Sequence, residues 1–160
     1  MTEINRSALF GKLNSLAYQA IDSATVFCKM RGNPYVELVH WFSQILQLED
    51  SDLHRVVKHF DINISTLAKD MTQALDRLPR GSTSLMDLSS HVDETVERGW
   101  VYGSLMFGDS KVRTGYLLIG ILKTRGLKNI LEGISKEFKK IEENTFTGQF
   151  QKILGGSPEE

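Results

Sequence analysis

The stretch NPYVELVHWFSQIL at residues 33–46 has a partner, DSKVRTGYLLIGIL, at residues 109–122. The offset is 76 residues (109 − 33). It aligns Val36 with Val112, Ile45 with Ile121 and Leu46 with Leu122, and sets Trp41 and Phe42 opposite Leu117 and Leu118. Upstream, Leu16, Ala20 and Ala24 meet Val92, Val96 and Trp100. Downstream the offset slips to 74, where Leu53, Val56, Val57 and Phe60 meet Leu127, Ile130, Leu131 and Ile134. Apolar self-similarity at so long a period marks a duplicated structural unit. Two copies cannot make a solenoid, so each is expected to cover the other's apolar face in one pseudo-two-fold domain. The repeats span about 10–78 and 85–154 of a single 1–154 domain, with 155–160 as a linker or tail.

Each copy reads as four helices, and no segment alternates at the period of a strand. The fold class is all-α, about eight helices plus an N-terminal helical segment. In the first copy, Leu13 to Cys28 carry a 3–4 apolar spacing, Gly32 is placed for a left-handed stop, and Pro34 forbids continuation. Residues 37–48 are apolar around nearly the whole circumference, which predicts a helix at the centre of the domain. Asp50 or Ser51 caps a short third helix, and Asn63 or Ser65 starts a fourth that Pro79 ends. PRGSTS, residues 79–84, joins the copies. In the second copy Gly99, Gly103 and Gly108 each weaken the first helix by roughly 1 kcal/mol, so it is expected to end between Gly103 and Gly108. Ser110 is the expected cap of the central helix over 111–124. A third helix runs from Leu127 to Ile134, and a fourth from near Ser135 through Phe138, Ile141, Phe146, Phe150 and Ile153. Gly155, Gly156 and Pro158 then break the order.

The totals exclude several functions. The 160 residues suit one domain that buries roughly 70% of its unfolded surface. The formal net charge is −1 with no basic stripe, which does not indicate a nucleic-acid surface. The single cysteine, Cys28, excludes an internal disulfide and ends an apolar stripe, so it reads as core rather than nucleophile. No apolar run is long enough to cross a bilayer, and MTEINRSALFGK has no signal-peptide core, so a cytoplasmic location is expected.

No catalytic constellation survives inspection. Gly11-Lys12 lacks the upstream glycine of a phosphate-binding loop. His54 and His59, five apart, fall on different sides of a helix and read as surface residues rather than a metal pair. His40 beside Trp41 reads as a hydrogen-bonded core histidine, and His91 as exposed. Gly99-x-x-x-Gly103 indicates close packing. Lys136 to Glu143 form a solvated charged face. The chain is therefore expected to be no enzyme, with no cofactor and no metal.

Leu9 and Phe10, and Leu85 and Leu88, are apolar residues in excess of the repeat core, just upstream of the first helix of each copy. They either cap the core or line a groove for an amphipathic helix or extended segment of a partner. Arg6, Lys12 and Asp87 are candidate rim contacts.

The duplicated unit, with GNPYVELVHWFSQIL leading its central helix, resembles the N-terminal domain of the Clp/Hsp100 AAA+ unfoldases over about residues 10–154. LNSLAYQAIDSATVFCKMR, ALDRLPRGSTS and ERGWVYGSLMFGDSKVRTGYLLIGILK are most similar to the ClpV (TssH) branch, the ATPases of bacterial type VI secretion. The resemblance implies a substrate-recruiting domain above a hexameric motor, itself without ATPase modules. It implies an N-terminal helix of the large sheath subunit (VipB or TssC type) as partner, so that the motor can disassemble and recycle the contracted sheath. The implied groove is formed by the added N-terminal segment at Leu9, Phe10 and Leu13, with Leu85, Leu88 and Val92 as the other wall. The isolated domain is expected to be monomeric. The rival within the family is a general ClpB-type domain that binds unfolded proteins or adaptors. Outside it stand a small helical enzyme and a purely structural role.

Overall fold

A computed structural model describes residues 5–85 and 87–160. The described residues form ten α-helices, one 3-10 turn and two very short strands. The first copy comprises α1 (Arg6–Phe10), α2 (Ser15–Arg31), β1 (Tyr35–Val36), α3 (Leu38–Leu46), α4 (Asp52–His59) and α5 (Ile64–Asp76). The second comprises β2 (Asp87–Leu88), α6 (Ser90–Phe107), α7 (Thr114–Leu122), α8 (Arg125–Ile134), a 3-10 turn over Lys136–Lys140, α9 (Glu143–Gly148) and α10 (Phe150–Leu154).

Local chemistry sets most boundaries. Asn14 caps α2 by accepting from the Ala17 N–H at 2.9 Å, and Gly32 ends it at φ 71°. Ser51 accepts from the His54 N–H to open α4, and Asn63 from the Thr66 N–H to open α5. Gly108, at φ 65°, ends α6, so this helix runs through Gly103. The glycines of α6 are not weak points. A Cβ on Gly103 would lie 2.5 Å from the Tyr116 ring, and one on Gly99 within 3.2 Å of Val112. Gly120 faces the backbone of Gly99 in turn, so small residues let α6 and α7 approach closely.

Three expectations need correction. Ser110 does not cap α7, whose N-cap is Arg113, three residues later, because Val112 is held in the backbone pairing with Lys12 and Leu13. The last helix of the second copy is broken into three pieces, first where Ile141 and Glu142 adopt extended backbone and again at Gln149, which leaves the helical conformation. Finally, the wholly enclosed helix is α7, all of whose residues are buried, whereas α3 leaves Ser43, Gln44 and Leu46 partly accessible and Leu48 lies exposed beyond its end.

The copies exchange backbone at two equivalent points. The N-cap of α2, Asn14, donates its N–H to the Val112 carbonyl at 2.9 Å, and the N-cap of α6, Ser89, donates to the Val36 carbonyl at 2.9 Å. Around these bonds β1 and β2 pair in parallel, Tyr35 with Asp87 and Val36 with Leu88, and Leu13 bridges Val112. The chain before the first helix of each copy thus pairs with the chain before the central helix of the other. Two-residue strands carry no period, so no sequence pattern announces them.

The domain's own tail closes over the starts of three helices. Glu159 accepts from the backbone N–H groups of Asp52 and Thr114, each at 2.7 Å, from the Thr114 hydroxyl, and from the Asn14 amide at 3.1 Å. It therefore meets the N-termini of α4, α7 and α2. Arg55 holds the Gly155 and Gly156 carbonyls at 2.8 and 2.9 Å. Residues 155–160 are thus part of the folded unit rather than a loose linker: their composition is that of a loop, but helix N-termini offer donors that a carboxylate satisfies. Beneath Glu159, Arg113 forms a bidentate buried pair with Asp52 at 2.6 and 2.8 Å, linking the two copies. Burial and the neighbouring Asp52 charge raise the Glu159 carboxyl above the usual carboxylate range.

Candidate functional site

The added segment packs on the second copy. α1 lies against the start of α6, and Arg6 ties it there, donating to Asp87 of β2 at 2.6 Å and to Asp93 of α6 at 2.5 Å. Lys111 adds a bond from its ammonium to the Gly11 carbonyl at 3.1 Å. The Leu88 N–H and the Arg6 guanidinium hold the Asp87 carboxyl below its ordinary range. Of the three rim candidates, Arg6 and Asp87 therefore bind each other, while Lys12 stays exposed.

The six apolar candidates divide. Leu9, Phe10, Leu13 and Val92 are buried in the core, Val92 with no accessible surface. Leu85 and Leu88 are half-buried against the same core. Val92 is thus corrected from groove wall to core residue: it lies on the face of α6 turned inward. Leu9, Phe10 and Leu13 bury because α1 is laid down on its apolar side. Arg6 brings α1 together with β2 and the first turn of α6, beside Leu88 and Val92, whereas Leu13 pairs with Val112 and Leu85 lines a small pocket with Lys29, Asn33 and Ser82.

A second apolar surface escaped the sequence reading. α3, α4 and α5 enclose an open cleft of about 700 Å³, floored by Leu46, Val57, Leu67, Met71 and Leu75 and rimmed by Ser43, Gln47, His54 and Lys58. Its lining residues read in sequence as ordinary inward stripes. The one signal was Ile64, an apolar residue outside those stripes, which is 71% exposed at its edge.

The histidines and the cysteine have structural partners. His40 is fully buried, accepts from the Glu37 N–H through Nδ1 at 2.8 Å and meets Asn33 Oδ1 through Nε2 at 2.9 Å. Burial, helped by the charge of Arg31, lowers it to about 4, so the ring is neutral. The Cys28 thiol donates to the Asn33 and Tyr35 carbonyls, and burial pushes it up to about 11, far from a reactive thiolate. Among the described residues no His, Cys, Asp or Glu group has metal-site geometry, and no helix is long and apolar enough to cross a membrane.

This geometry has known relatives. The family model for the Clp repeat (R) N-terminal domain matches residues 12–134. The AAA+ ATPase ClpV1 of Pseudomonas aeruginosa is 69% identical over 159 residues, 99% of this chain and 18% of that protein. The chaperone protein ClpB of Yersinia enterocolitica is 42% identical over 156 residues, 98% of this chain and again 18% of the relative. The chain thus spans about a fifth of the length of these relatives. A solved chain from a study of the coevolution of the ATPase ClpV, the TssB–TssC sheath and the accessory HsiE protein superposes with a TM-score of 0.97 at 68% identity, covering 100% of this chain and 99% of that one. A ClpV N-domain solved in complex with a VipB peptide has a TM-score of 0.83 at 22% identity, covering 100% and 98%, and so shares the fold.

Proposed function

The chain belongs to the family of Clp repeat N-terminal domains, and from that membership we propose that it is the substrate-recognition domain of a type VI secretion ATPase of the ClpV kind. The observation that carries this reading is the 69% identity to ClpV1 across 99% of the chain, against 42% to ClpB. The partner is the N-terminal helix of the large sheath subunit, and the solved ClpV N-domain with a VipB peptide supports a peptide of that origin. The motor that uses the recruited subunit lies outside this chain.

The docking surface is the region where α1, β2 and α6 meet. Leu88 presents the accessible apolar floor, which Leu85, also half-buried, continues towards Lys29 and Asn33. The five-residue α1 forms the movable wall. A helix that short has no stability of its own and is held by the burial of Leu9 and Phe10, the Arg6 ion pairs and the Lys111 bond to Gly11, so shifting it costs less than opening a long helix. A single docked helix of this kind binds in the micromolar range, about −8 kcal/mol. Six domains on one ring, facing a sheath that repeats its subunit, gain avidity from there. Weak single contacts suit a substrate that must be handed on.

Fluorescence polarisation with two labelled peptides tests this. One is the N-terminal helix of the cognate large sheath subunit, and the other has the same composition with its helical apolar spacing scrambled. Saturable binding of the first alone, lost in Leu85→Asp and Leu88→Asp domains of unchanged circular dichroism, is the expected result. Equal binding of both peptides replaces the sheath-specific reading with the ClpB-like one.

A further inference from the structure

Two carboxylates at this surface share one cation. Arg6 gives one arm to Asp87 and the other to Asp93, so the trio carries a formal charge of −1. Asp93 uses only Oδ2 in that pair. Its other oxygen, Oδ1, is buried and takes no hydrogen bond among the described residues, and the same holds for Ser89 Oγ. Ser89 is 9% exposed and is the N-cap of the 18-residue α6, yet its hydroxyl does not cap the helix. Ser89 and Asp93 stand one helical turn apart, which places them on the same side of the helix start. A buried oxygen without a donor is destabilising, and a donor that reaches the same carboxylate or hydroxyl relieves it.

The chemistry of that donor follows. A carboxylate oxygen can only accept, so the incoming group must carry N–H or O–H. The positive end of α6 contributes roughly half a unit charge, which offsets only part of the excess negative charge of the trio. Glu97, one turn further along the same side of α6, adds to it, against Arg98 and, at the far end of α1, Lys111. The field at this corner therefore favours a cation. We propose that the corner formed by Ser89, Asp93 and the Arg6–Asp87 pair is the specificity element of the docking surface, and that it receives a lysine or arginine side chain of the docked helix and rejects an acidic one. The cation pairs with the Asp93 carboxylate, whose side chain is 31% exposed, while an apolar anchor of the same helix sits on Leu88. This deepens the helix-docking reading and rests on it.

The test is a charge scan of the sheath-subunit N-terminal helix, each polar position replaced in turn by Lys and by Glu, with binding to the 160-residue chain measured at about 150 mM salt. The expected result is one position at which Lys binds about three- to tenfold tighter than Glu, the size of a partly exposed ion pair. That preference should vanish in Asp93→Asn and reverse in Asp93→Lys, with helical circular dichroism retained in both. Binding of the unsubstituted peptide with no Lys/Glu preference at any position, or with a preference that Asp93→Asn leaves intact, overturns the cation assignment and spares the docking reading. No binding of the unsubstituted peptide overturns both.

Discussion

At the scale of single residues, burial separates side chains that look alike in sequence. Leu9 and Val92 are both apolar residues near the start of a copy's first helix, and both are buried. Their surroundings differ. Val92 sits in α6, beneath the whole second copy, whereas Leu9 belongs to the five-residue α1. Val92→Asp buries an uncompensated charge and should lower global stability by more than about 3 kcal/mol in urea unfolding. Leu9→Asp should instead release α1: hydrogen exchange at residues 6–10 loses protection while the global transition moves little. His40 makes the pH prediction. Its folded value of about 4 lies below the ordinary 6.5, so between these values the unfolded chain binds more protons. Stability contributed by the neutral ring is therefore complete above about pH 6.5 and is lost as pH falls towards 4, on the order of 3 kcal/mol in all. His40→Gln should flatten that part of the acid-unfolding curve. An unchanged slope would mean that other groups set it.

At the scale of elements, helix propensity alone misjudges α6. Its glycines suggest a frayed helix, yet α6 is the longest in the chain and its glycines face α7. The same residue type therefore has opposite consequences in different helices. Gly120→Ala would place a Cβ 2.8 Å from the Gly99 backbone nitrogen, where no flexible side chain can yield. It should cost about 1–3 kcal/mol despite the gain in helix propensity. Gly133, in α8, has nothing within 4 Å of such a Cβ. Gly133→Ala should stabilise the domain by about 0.5–1 kcal/mol. Thermal melts of the two variants decide whether close approach or propensity governs these helices. The elements that propensity could not place are those defined by partners far along the chain: β1 by β2, and the broken C-terminal helices by the aromatic cluster of Phe107, Tyr116, Phe146 and Phe150.

At the scale of the whole molecule, the two copies are joined by backbone exchange and by the Asp52–Arg113 pair with Glu159. Removal of residues 155–160 strips the acceptors from the starts of α4 and α7. It should lower stability by about 2–4 kcal/mol in denaturant, more than Glu159→Gln, which keeps one carbonyl acceptor. A truncated chain as stable as the full one would return the tail to the status of a linker. The sequence by itself determined the duplication, the all-α class, the helix stop at Gly32, and the family. These rest on apolar periodicity and on local backbone chemistry, which are written within a few turns of chain. Only the tertiary structure decided that Leu9, Phe10, Leu13 and Val92 are core while Leu85 and Leu88 are half-exposed, that Arg6 closes on Asp87 and Asp93, that a cleft opens between α3 and α5, and that Glu159 is docked. Each of these joins residues from distant parts of the chain, and a side chain's exposure depends on what the rest of the chain lays over it. Sequence spacing records which residues share a face; it does not record how fully that face is covered.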